Sequence, residues 1–100
     1  MQPRILKAAD TTEFYISERC HITEWSNSDA DPALSVARAR VAPGITTRWH
    51  RLDGIVERYC ILEGCGLVEI GELPQTEVGP GDVVLIPPGV RQRITNRGTQ

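Results

Sequence analysis

His50, Glu57 and Gln92 are the side chains of this 100-residue chain best suited to do chemistry together. The first two lie on either side of the Asp53–Gly54 turn, inside the stretch GITTRWHRLDGIVERYCILEG at 44–64. An imidazole nitrogen and a carboxylate oxygen are both donors that a first-row divalent metal accepts. Without a metal, the same pair can handle a proton, because histidine titrates near neutrality and a carboxylate orients its ring. Gln92 adds a neutral amide, a weak metal donor that serves better as a hydrogen-bond partner. Each group also has a purely structural reading. His50 can be an interior histidine paired with Glu57 or Gln92, and Glu57 a carboxylate paired with Arg48 or Arg58, since buried charge must be partnered.

Arg48 and Tyr59 extend the set. If residues 46–52 form one unbroken strand, Arg48 faces the same way as His50, and its guanidinium would clamp a carboxylate or other anion. If the strand turns there, Arg48 lies in solvent. Tyr59 shares Glu57's parity and offers either a phenol or a wall. His21 supplies a nitrogen only if its own strand lines the same site. Trp25 and Trp49 read as core or interface residues.

The elements that must position these groups are short strands separated by turn residues. Candidates are 12–16 (TEFYI), 21–25 (HITEW), 36–41, 46–52, 57–62, 67–70, 73–78, 83–86 and 91–95. Ile5 and Leu6 could pin the N-terminus to a sheet edge. The Gly64-Cys65-Gly66 turn makes 67–70 a natural hairpin partner for 57–62. Residues 83–86 (VVLI) read as a strand covered on both faces, and Pro74 marks 73–78 as edge-like. Gly64, Gly66, Gly81 and Gly89 are turn or close-approach positions. Many short strands at regular spacing, with Gly/Pro turns, predict an all-β barrel or sandwich.

The punctuation also carries a resemblance. Gly44, five residues, His50, a gap to Glu57, six residues and Gly64 match the first half of the cupin signature. Gly81, five residues, Pro87, Gly89 and Asn96 match the second half. Over roughly residues 36–96 the chain resembles a small single-domain cupin, which implies a jelly-roll β-barrel (a double-stranded β-helix) and, commonly, a homodimer. Members of that family hold a divalent metal with three histidines and one glutamate. Here Leu52 and Gln92 stand where two of those histidines are expected.

The resemblance therefore implies a degenerate site. His50, Glu57 and Gln92 would hold Fe, Ni, Mn, Cu or Zn, while Arg48, Tyr59 and Gln92 bind a small polar or anionic ligand. Oxygenase or isomerase chemistry is what the family suggests if the protein is an enzyme. The alternative is a metal-free, non-catalytic small-molecule-binding or structural barrel, held by a His50–Glu57–Gln92 hydrogen-bond network. Which residues would be catalytic, and whether any are, stays open.

Composition bounds the rest. One hundred residues suit a single small domain, residues 1–100. A net charge of −2 with both signs interspersed gives no nucleic-acid footprint, despite the pairs Arg38/Arg40, Arg48/Arg51 and Arg91/Arg93. Cys20, Cys60 and Cys65 have neither metal-knuckle spacing nor an even count, which points to a reducing compartment. No apolar run is long enough to span a membrane, and no signal-like core follows the first residues. The expectation is a cytoplasmic protein. The sequence stops at Gln100, where domains of this kind normally continue into another hydrophobic strand: either the protein ends short, which would leave an edge that invites a partner subunit, or the native chain runs on.

Overall fold

A computed structural model of the chain describes residues 2–99; Met1 and Gln100, the two ends weighed above, lie outside the described residues. The fold is all-β and antiparallel, in two compact units that divide between Arg40 and Val41. No helix among the described residues is long and apolar enough to cross a membrane.

The first unit opens with one 3₁₀ turn, Ala8–Asp10, and continues as a meander of β1 (Phe14–Ile16), β2 (Cys20–Ser26) and β3 (Val36–Arg40). Ile5 and Leu6 belong to no strand, and Ile5 is 84% exposed, so they pin no edge. Ile16 pairs with Cys20 across a three-residue turn whose last member, Arg19, has a φ of 69°. A side chain in that left-handed conformation costs about 1–2 kcal/mol, more than glycine's extra chain entropy. Arg19→Gly should therefore raise stability by about 0.5–1 kcal/mol, read as a Tm increase of a few degrees. A fall in Tm would mean that the arginine side chain contributes more than its backbone costs. Across the sheet, Arg40 donates two hydrogen bonds to Glu13, at 3.1 and 2.7 Å, and they hold the Glu13 carboxyl below its usual range.

The second unit contains β4 (Glu57–Cys60), β5 (Gly66–Ile70), β6 (Thr76–Val78), β7 (Val83–Ile86) and β8 (Gln92–Asn96). β4 pairs with β7, and β5 lies between β6 and β8. The hairpin expected between 57–62 and 67–70 does not form. Ile61 instead exchanges backbone hydrogen bonds with Asp82 and Gly81, so β4 extends along the approach to β7 and the Gly64 turn carries the chain into the other sheet. Such a crossover lets both sheets present alternate side chains to one core.

That core is Val68, Val84 and Ile86, with Tyr59, Ile70, Val78, Val90 and Ile94 packed against it. Burying each large aliphatic here contributes about 1.5–3 kcal/mol. β7 is not covered on both faces as its four aliphatics suggested. Val84 and Ile86 are buried, whereas Val83 and Leu85 are 58% and 63% exposed. The strand alternates because one face packs on the core and the other has no layer over it. Two glycines set the spacing in different ways. A Cβ at Gly66 would meet Ile94 Cδ1 at 2.9 Å, while Gly81 turns the chain at φ 89° with open space around it.

Candidate functional site

Residues 46–50 run beside β8 without forming a regular strand. Thr46 bridges Thr95 and His50 bridges Gln92, four steps on one side against three on the other. One extra residue therefore bulges between the two bridges and breaks the period-two alternation. The bulge decides where the side chains go. His50 faces Gln92, but Arg48 is exposed, and only its backbone carbonyl takes part in the site. Trp49 points to the outer face. Thr47 is buried, accepting a hydrogen bond from the Ile94 amide at 3.0 Å.

His50, Gln92 and Glu57 come together. Gln92 is fully buried, and its Nε2 donates to Glu57 Oε1 at 3.3 Å and to His50 Nε2. An amide nitrogen can only donate, so His50 Nε2 is an acceptor and the ring proton sits on Nδ1. From Nδ1 it is donated to the Arg48 carbonyl, 3.2 Å away. The three side chains thus form one chain of hydrogen bonds with defined polarity, running from the 46–50 segment through β8 to β4. One atom is left over. Gln92 Oε1 is buried with no hydrogen-bond partner among the described residues. A buried acceptor in that state costs about 1–3 kcal/mol, so it marks a place where a donor is wanted.

The donor set does not suit a transition metal. Among the described residues, no group of three or more His, Cys, Asp and Glu side chains could hold an ion. Leu52 offers no ligand atom, and the Gln92 amide turns its N–H groups toward both His50 and Glu57. The two metal-competent groups are bridged by a donor. A tight site normally needs three or four convergent lone pairs.

Tyr59, expected at the site by parity, is partly buried against the Val68–Val84–Ile86 core, with Glu57 on the same face of β4. Asn96 has a scaffold role that spacing alone did not reveal. Its Nδ2 donates to the Val41 carbonyl at 2.7 Å, and its Oδ1 accepts from the Gly98 amide at 2.9 Å. An open, mainly apolar cleft of about 240 Å³ lies along β5, β6 and β7, lined by Val68, Ile70, Thr76, Val78, Val84 and Leu85 among others, and by none of the three triad residues. Ile70, in its wall, is the register partner of Gln92. His21 lies in the first unit beside Tyr15, 5.0 Å between ring centroids, and 3.8 Å from Glu13.

On the outer face, Arg93 forks onto Glu69 at 2.8 and 3.0 Å, which holds the Glu69 carboxyl below its usual range. The guanidinium carbons of Arg91 and Arg93 stand 4.5 and 4.3 Å from the Trp49 ring centroid. Trp49 is thus a surface platform beneath two cations, not a core residue. Sequence reasoning missed this cluster because its partners lie more than forty positions apart.

Comparison with known proteins agrees with the fold. The family model described as "Cupin domain" matches residues 37–100. No curated protein matches the chain. Among solved structures, a predicted oxalate decarboxylase from Thermotoga maritima is similar at a TM-score of 0.83 and 23% identity, covering 97% of this chain and 90% of that one. KdgF from Halomonas sp. is similar at 0.84 and 11% identity, covering 99% and 86%. The Drosophila melanogaster CENP-C, solved bound to CAL1, is similar at 0.81 and 14% identity, covering 96% and 78%. At such identities these likenesses speak for the fold alone. With a family model spanning more than half its length, the chain belongs to the cupin family.

Proposed function

We propose that this protein is a metal-free cupin barrel that binds a small, polar, hydrogen-bond-donating molecule without transforming it. The observation that carries this reading is the buried Gln92 amide, which ties His50 to Glu57 and leaves Oε1 without a donor. The groups facing inward are acceptors: Gln92 Oε1 and the Glu57 carboxylate. With Arg48 exposed, nothing at the triad supplies the positive charge that an anion would require. A hydroxyl or amine N–H fits this site better than a carboxylate does. The apolar cleft walled by Val68, Ile70 and Val84, whose Ile70 is the register partner of Gln92, supports a ligand with an apolar portion.

Thermal denaturation of the tag-free protein tests the reading, using a panel of short diols, amino alcohols and carboxylates of matched size. The diols or amino alcohols should raise Tm saturably and the carboxylates should not. The gain should disappear in Glu57→Ala. Chelator should leave Tm unchanged, because no bound ion contributes to native-state stability. Copurification of one equivalent of metal, with Tm lowered by chelator, overturns the proposal. So does stabilisation by carboxylates alone.

A further inference from the structure

We propose that the outer face around Trp49 recognises an acidic, extended peptide segment of another polypeptide, with Arg91 as its anchor. The proposal is independent of the interior triad, because Trp49 and Arg91 point away from it. It starts from an imbalance of charge. Arg91 and Arg93 approach the same indole, but one carboxylate, Glu69, takes both arms of the Arg93 fork. Arg91 accepts a backbone hydrogen bond from the Gly71 amide, but among the described residues its side chain makes no hydrogen bond or close ion pair; Glu69 feels its charge while spending both oxygens on Arg93, and the guanidinium's contact is the stack on Trp49. Stacking occupies the face of a guanidinium and leaves its N–H edge free, the edge that forks onto a carboxylate. The indole holds that edge in one orientation, which lowers the entropy lost on binding.

Two further features favour an extended acidic peptide over a free ion. Arg48 is exposed and Arg51 has only a 3.9 Å surface contact with Asp53, so cationic groups continue along the segment past Trp49. The same segment is an open edge. Thr47 and His50 donate their amides to β8, while among the described residues the Arg48 and Trp49 amides find no backbone acceptor. A strand laid along that edge would receive main-chain hydrogen bonds there and place alternate acidic side chains toward Arg91. A free phosphate gains neither.

The test uses the full chain carrying Trp25→Phe, which leaves Trp49 as its single tryptophan. Its fluorescence is titrated at low salt with a capped synthetic peptide of alternating Glu and Thr, with a Lys-for-Glu version, and with inorganic phosphate. The acidic peptide should shift the emission saturably, and the shift should weaken as salt is raised. Arg91→Gln should weaken binding by about tenfold or more, and Arg91→Lys by less, since lysine keeps the charge but loses the fork. Arg91 is exposed, so unchanged unfolding curves will separate loss of binding from loss of fold. Identical binding by all three proteins overturns the proposal, as does no binding. Phosphate acting as well as the peptide at equal concentration replaces it with a small-ion site.

Discussion

Gln92→Ala should lower the unfolding free energy by about 2–4 kcal/mol, while Gln92→Leu should stay within about 1 kcal/mol of the parent or exceed it. The contrast follows from what the side chain does. Gln92 is fully buried between neighbours that include Ile70, its register partner. Truncation to alanine leaves a cavity in a small core and withdraws the amide from His50 and Glu57 together. Leucine fills nearly the same volume and removes the unpaired Oε1. His50 and Glu57 are only half-buried, so water can replace the hydrogen bonds that leucine takes away. Tolerance of leucine would mean that stability does not require the amide, which supports a binding role for it. Urea unfolding curves for the three proteins check the ordering. If leucine costs as much as alanine, the amide is a structural keystone and the ligand-binding reading loses its main support.

The triad was legible in the sequence because its members sit at fixed offsets from the glycines that turn the chain, and those turns formed as expected. Gly81 and Gly89 both adopt positive φ, and Gln92 follows three residues after Gly89. Arg48 was not legible. Its direction depended on an unbroken strand, and one bulged residue between the Thr46 and His50 bridges changes which side chains face inward. Strand pairing failed for a related reason. A glycine turn marks a reversal of the chain but does not say which strand lies beside which, and β4 took β7 as its partner. The VVLI run misled because composition alone cannot tell a doubly covered strand from one with an exposed face. Trp49 was harder still. Its type suggested a core or an interface position without naming its neighbours, and two arginines from the other end of the unit provide its contacts at the surface.

Placing histidines at 52 and 92 should turn this protein into a metal-binding one, and the change should be the largest of any described for this site. In the parent, two competent donors are bridged by an amide that donates to both. Gln92→His removes that donor and adds a lone pair, and Leu52→His fills the remaining position of the family's four-ligand pattern. Leu52 is 37% exposed and belongs to no core cluster, so the replacement opens no cavity in the Val68–Val84–Ile86 core. Three imidazoles and one carboxylate make a donor set that binds divalent zinc, nickel or manganese. At metal concentrations near a hundred times the dissociation constant, binding adds about 2.7 kcal/mol to native-state stability. For a domain of this size that corresponds to a Tm rise of about 10 °C or more. Differential scanning calorimetry with and without zinc, followed by elemental analysis after desalting, provides the comparison. The parent should show no shift, the Gln92→His single variant a small one, and the double variant a shift abolished by chelator. A comparable zinc shift in the parent would sink the metal-free reading directly. Silence from the double variant would instead mean that positions 52 and 92 do not converge on His50 and Glu57, and that the departure from the family pattern extends to the backbone of the 46–52 segment.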